Sequence, residues 1–174
     1  SSVIVEQFIT GEDYRILVIN HKMVAAAKRL PARIIGDGKH TVQELIDHVN
    51  ADPRRGYGHE KVLTSITIDD ITMKLLELKG YTLNSVISKG EILVVKDTAN
   101  LSTGGTSVDV TDIVHPSIVF MAERISRVVD LDICGIDFMT NDISSPVHET
   151  RGAVLEVNAG PGFRMHSESW SGIY

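Results

Sequence analysis

Apolar and polar positions along the chain predict a β-rich frame interrupted by helices. The run Val3-Ile4-Val5 opens a β-like segment through Ile9, residues 13–20 form a second, and Thr10-Gly11-Glu12 between them has turn chemistry. Asn20-His21 separates Ile16-Leu17-Val18-Ile19 from Met23-Val24-Ala25-Ala26-Ala27, which predicts a hairpin continuing the same antiparallel sheet. The alanines would also suit a helix, but the piece is short and its β-branched neighbours favour a strand. After the loop Gly36-Asp37-Gly38-Lys39-His40, Thr41 and Glu44 have capping-box spacing, and a helix runs through Leu45, Ile46 and Val49 to end before Asp52-Pro53. A second helix starts at Asp69 or Asp70 and runs through Met73, Leu75, Leu76 and Leu78. Residues 31–90 therefore read as a small, mostly helical insert within the frame. The frame resumes with a strand at Glu91–Lys96 and a loop from Asp97 to Thr106. In Pro116–Val129, Ile118, Met121, Ala122, Ile125, Val128 and Val129 repeat near the helical period behind a first-turn proline. Strands around 132–139 and 152–158 close the pattern. The fold class is α+β, an antiparallel sheet with helices on one face.

Composition narrows the function classes. The chain has 174 residues, 43% hydrophobic and 23% charged, with a net charge of −6. No apolar run approaches the roughly 18–20 residues that span a bilayer, so no membrane partner is expected. The mild acidity and the lack of a basic block argue against nucleic acid. One cysteine, Cys134, cannot form an internal disulfide, which suits a reducing cytoplasm. The chain lacks an initiator Met and meets an apolar run within two residues, and its tail at Ser167–Tyr174 carries no capping pattern. A piece of a longer protein is the expectation.

Chemistry concentrates near the C-terminus. Glu156 and Asn158, two apart on a strand, point to one face, and Asp137 joins them if the 132–139 strand pairs antiparallel with 152–158. Two carboxylates and an amide form a hard oxygen set of the kind Mg²⁺ prefers beside phosphates. The bland alternative places Asp137 and Glu156 on the solvent face of an edge strand.

These residues carry a resemblance. An acidic residue on one strand and E-x-N on the next, behind a unit opening V-E-x-F-I-x-G-x-D-x-R, resemble the C-terminal part of an ATP-grasp ligase. Four blocks in order narrow it to the cyanophycin synthetases: Val5–Arg15, Asp52–Lys61, Thr98–Gly105 and Glu156–His166. The resemblance implies a partial ATP-grasp domain over 1–174, with ATP and Mg²⁺ as cofactors. Asp137, Glu156 and Asn158 would hold the metal, Glu6, Gln7, Phe8 and Ile9 would meet the adenine, and Asp13 (or Glu12) the ribose. Arg15 would face phosphate or an acyl phosphate, the alternative being an ion pair with Glu12 or an acid on the neighbouring strand. Lys96 with Asn100, Ser102, Thr103, Gly104 and Gly105 resembles a loop closing over phosphates and substrate, its glycines letting backbone amides approach an anion.

Arg54, Arg55, His59 and Lys61 form a basic, glycine-punctuated loop. It is expected to be exposed, either a flap supplying charge to an anionic peptide or to the phosphates, with His59 as a candidate base, or a solvated excursion. Arg164 and His166 share a face if the chain stays extended, where a cation could hold the acceptor's carboxylate. The implied reaction activates a carboxylate as acyl phosphate and adds aspartate to a poly-aspartate primer, in an enzyme expected to be homo-oligomeric when full length. ATP-grasp enzymes also use an N-terminal half with a glycine-rich flap, which nothing here matches, so catalysis by this segment alone is not expected. Another amino-acid ligase of the fold, such as a glutathione synthetase, and a non-catalytic nucleotide-binding module remain as rivals.

Overall fold

The hairpin expected around Asn20-His21 is present as β1 (Glu12–Ile19) and β2 (Lys22–Leu30) in a computed structural model that describes residues 3–58 and 60–167. Its two turn residues sit at φ 51° and 57°, the left-handed pair that matches the twist of the flanking strands. Asn and His accept this geometry at lower cost than β-branched residues would. The described residues divide into two units, 3–28 with 109–166, and 29–108 with 167.

A five-stranded sheet, most of it in the first unit, has the order β7-β2-β1-β8-β9, with β7 at Thr106–Asp109, β8 at Ile133–Thr140 and β9 at Ala153–Asn158. The chain leaves and re-enters this unit along β2 and β7. Strand β8 lies antiparallel between β1 and β9. One face carries Tyr14, Ile16, Val18, Cys134, Ile136 and Phe138, all buried with Ile118 and Ala122 of a helix at Pro116–Val128. Each fully buried large side chain contributes about 1.5–3 kcal/mol. That helix is α3 in chain order, and His115 caps it by accepting from the Ser117 amide. Short helices α4 (Val147–Thr150) and α5 (Arg164–Ser167) flank β9 in sequence.

In the second unit, β3 (Arg33–Ile35) pairs antiparallel with β6 (Ile92–Val94), while α1 (Val42–Asn50) and α2 (Asp70–Leu78) supply Leu45, Ile46 and Leu76 to its core. The Thr41–Glu44 capping box forms as the sequence predicts. Asp69 is the cap of α2, accepting from the Thr72 amide at 2.9 Å. Two-residue strands β4 (Arg55–Gly56) and β5 (Leu63–Thr64) pair in parallel.

The α+β expectation stands, and the strands expected at 13–20, 91–96, 132–139 and 152–158 all form. The expected strand over 3–9 does not. Among the described residues no strand pairs with it, and Val3, Ile4, Val5 and Phe8 are each more than four-fifths exposed. β-propensity without a ladder partner does not hold a strand. No described helix is long and apolar enough to cross a membrane.

Candidate functional site

The sheet face opposite α3 gathers the polar groups. Register places Arg15 opposite Asp137, Asp137 opposite Glu156, and Gly135 opposite Asn158. A bulge beside Asp137 shifts β9 by one residue, yet leaves Glu156 and Asn158 on the same face as Asp137. Asp137 is buried, and Arg15 Nε donates to its Oδ1 while Nη2 donates to Oδ2 at 3.2 Å. Gly135 makes room for that guanidinium: a Cβ there would lie 3.0 Å from Arg15 Nη1 and 2.7 Å from Pro161 Cβ. The Asn158 amide donates to Glu156 Oε1 at 2.8 Å on the exposed side of the sheet.

This donor set suits a hard cation. Both carboxylates and the Asn158 carbonyl offer oxygen: Asn158 donates through Nδ2 to Glu156, which leaves its Oδ1 as an acceptor for a cation. Among the described residues no three His, Cys, Asp or Glu gather as a metal cluster. A Mg²⁺ site needs fewer protein ligands, because one or two carboxylates suffice when phosphates and water complete the shell.

His166 comes near this face. It feels the charges of Arg15 and Asp109, and its Nε2 is buried without a hydrogen-bond partner. Burial first, then the Arg15 guanidinium, lowers its pKa below the usual histidine value, while Asp109 opposes the shift. Asp109 gave no signal in the sequence, being one acid at a strand end. Arg164 and His166 fall within α5 rather than an extended chain, so their expected common face is lost, since residues two apart on a helix do not face each other.

Glu6, Gln7 and Phe8 are exposed, Ile9 is half-buried, and all four lie outside any regular element. Glu12 is ion-paired to Lys28 at 3.0 Å. Asp13, opposite Met139, shares the face of Arg15 and Asp137.

The second unit corrects several expectations. Lys96 is buried and its ammonium donates to Asp69 at 2.7 Å, a carboxylate partner that the resemblance does not imply. The partner was hidden because Asp69 reads as a helix cap. Gly104 and Gly105 are buried, and their amides donate to Leu101 O at 3.2 Å and Asn100 O at 3.0 Å. These glycines serve close packing: a Cβ on Gly104 would lie 2.7 Å from Ile66 Cγ1, and one on Gly105 2.6 Å from Leu30 O. They do not present amides to an anion. Asn100 and Ser102 are exposed and Thr103 half-buried, its hydroxyl donating to Asn100 O at 3.0 Å.

The basic loop is pinned rather than wholly solvated. Arg55 is buried and donates to two main-chain carbonyls, which removes it from the exposed cations. Arg54 forks onto Asp52, with Nη2 donating at 2.7 Å, and this pairing pulls the Asp52 pKa down to about 2. Lys61 is exposed, and His59 lies outside the described residues. A separate row, Ser126, His21 and Asp132, mimics a nucleophilic triad, with His21 Nδ1 2.7 Å from Ser126 Oγ and its Nε2 3.4 Å from Asp132. Ser126 is fully buried and donates to Leu131 O at 2.9 Å, so the row fastens the hairpin turn and attacks nothing.

No family model matches the chain. It is 54% identical over 172 residues to a cyanophycin synthetase of Nostoc sp., covering 99% of this chain and 19% of that protein. The cyanophycin synthetase of Crocosphaera subtropica is 52% identical over the same share of this chain and 20% of its own. Among solved structures, a bifunctional glutathione synthetase from Pasteurella multocida superposes with a TM-score of 0.79 at 32% identity, over 91% of this chain and 22% of that one. The chain thus spans about a fifth of the length of the relatives it matches. The resemblance carried by the four sequence blocks extends over 99% of the chain, which is similar throughout to cyanophycin synthetases.

Proposed function

We propose that this chain supplies the metal- and nucleotide-facing part of an ATP-dependent amide ligase that lengthens a poly-aspartate backbone by one aspartate at a time. The observation that carries the reading is the register of β1, β8 and β9, which puts Arg15, Asp137, Glu156 and Asn158 on one sheet face. Identity of 52–54% to cyanophycin synthetases supports this substrate choice over the glutathione type, at 32% to the solved enzyme.

Asp137, Glu156 and Asn158 would hold Mg²⁺, which when bound neutralises ATP phosphate charge as the primer's carboxylate becomes an acyl phosphate. Arg15 orients the Asp137 carboxylate through its fork. The loop at Glu6, Gln7, Phe8 and Ile9 offers backbone groups to adenine, and Asp13 offers a carboxylate to ribose. Arg54 and Lys61 offer charge to the anionic primer, His59 stands as a candidate base, and Asn100, Ser102 and Thr103 offer side-chain hydrogen bonds to substrate. Arg164 offers a cation to the incoming aspartate, whose amine displaces phosphate from the acyl group.

The test is ATP- and primer-dependent incorporation of radiolabelled aspartate by the full-length protein that carries this segment. Incorporation of aspartate is the expected result. Addition of glycine to γ-glutamylcysteine instead would select the glutathione-type reading, and ATP binding without turnover of either would select a non-catalytic module.

A further inference from the structure

Among the described residues of the basic loop, Arg55 is the best-buried cation, and it points inward. It is 8% exposed, against 74% for Tyr57 two residues on. Its Nη1 donates to Thr64 O at 2.6 Å and to Gly104 O at 3.0 Å. The first bond closes the loop on itself, beside the β4–β5 pairing. The second reaches a segment 49 residues away, the Asn100–Gly105 turn.

The acceptor side is built to receive it. Gly104 takes a left-handed conformation at φ 95°, open to glycine at little cost, and packs directly on Ile66. Ile66 is itself clamped by the Asn50 side chain, which accepts from its amide at 2.8 Å and donates to its carbonyl at 2.9 Å. Both carbonyls that meet Arg55 are thus presented by backbone that packing and hydrogen bonds already hold. A planar guanidinium satisfies two such acceptors with one rigid group, whereas a lysine is a compact point charge on a flexible stem.

We propose that Arg55 is a positioning residue that ties the 54–61 loop to the 100–105 loop, so that the two substrate loops of the ligase are held as one body. The proposal rests on the substrate role given to both loops above. It separates Arg55 from its neighbour: Arg54 offers charge at the surface, and Arg55 sets where that charge sits.

The experiment compares Arg55→Lys, Arg55→Met and Arg54→Ala in the full-length protein by amide hydrogen exchange and by initial rates. Arg55→Met keeps the apolar stem, and Arg55→Lys keeps the charge. Both are expected to speed exchange about 10-fold or more in 101–106 as well as in 55–65, the scale of losing a hydrogen bond to a charged group. Amides of β3 and β6 in the same unit should keep wild-type protection. In ligase assays both variants should lose kcat with the KM for ATP unchanged, whereas Arg54→Ala should raise the primer KM alone.

Faster exchange confined to 55–65 overturns the tie. Faster exchange spreading to β3 and β6 overturns it too, because Arg55 would then be supporting the whole fold. Rescue of kcat by Arg55→Lys overturns it in favour of a direct charge contact with substrate. The exchange measurement needs no turnover, so paired loosening of the two loops in a protein without ligase activity supports the tie and sinks only the ligase reading.

Discussion

Arg15 and Asp137 face each other across β1 and β8, and two guanidinium nitrogens of Arg15 donate to the two carboxylate oxygens of Asp137. Their side chains are 11% and 8% exposed, so each neutralises a charge that would otherwise be stranded away from water. Asp137 therefore has a structural duty beside any metal-binding one, and Glu156 across the next strand does not.

That difference separates two substitutions that look equivalent in the sequence. Glu156→Gln should abolish ligase turnover and leave thermal stability within about 0.5 kcal/mol, the ordinary range for an exposed position. Asp137→Asn should abolish turnover and also destabilise by about 3 kcal/mol, because Arg15 keeps its charge in a nearly closed site. Turnover and urea melts of both variants check this. Retained activity within a few-fold in Glu156→Gln would remove that residue from the metal site.

Gly135→Ala is a stability and activity lesion without any change of charge. The new methyl would meet Pro161 Cβ at 2.7 Å and Arg15 Cδ at 3.0 Å. Overpacking of this kind costs about 1–3 kcal/mol, and the flexible Arg15 is the group most able to yield. Displacing it loosens the fork on Asp137, so the melting temperature and kcat should fall together. A wild-type kcat in a destabilised variant would show that Pro161 moved instead.

Acid should weaken the second unit through Asp69 and Asp52. The Lys96 ammonium is the leading cause that holds the Asp69 carboxyl well below its usual range, with the Thr72 amide and hydroxyl adding to it. The Arg54 guanidinium draws Asp52 down to about 2. Both folded pKa values lie below the unfolded one, so this stabilisation is complete above about pH 4 and is lost as pH falls through the folded values. Asp69→Asn should remove most of the effect and cost about 2 kcal/mol at neutral pH. The cost falls short of that for a fully buried pair because the Asp69 side chain is 49% exposed. Urea midpoints between about pH 2 and 7, a range that spans carboxylate titration, give the comparison.

His166 should act in a higher window. Its folded pKa is depressed, chiefly by burial, so the native state favours the neutral ring. Stability is then unaffected above about pH 6.5 and declines as pH drops below it, where the unfolded chain takes up the proton first. His166→Gln should flatten that decline. An unchanged slope in the variant would place the titration elsewhere.

Much of this protein follows from its one-dimensional pattern. The Thr41–Glu44 box, the α3 repeat behind Pro116 and the spacing of Glu156 and Asn158 are local, so neighbouring residues alone determine them. The similarity to cyanophycin synthetases was readable in four short blocks for the same reason. Partners distant along the chain were readable at most as a class, as in the neighbouring-strand acid that stood as the alternative for Arg15. Only the tertiary structure decided that Arg15 meets Asp137, 122 positions away, and that Lys96 meets Asp69, 27 away. It also turned Arg55 inward, placed Gly104 and Gly105 in the packing rather than beneath an anion, and left residues 3–9 without a strand to pair with. A charged or flexible side chain carries no mark of its partner, because the pairing is set by which strands and loops the fold brings together and by the cost of leaving a charge buried alone.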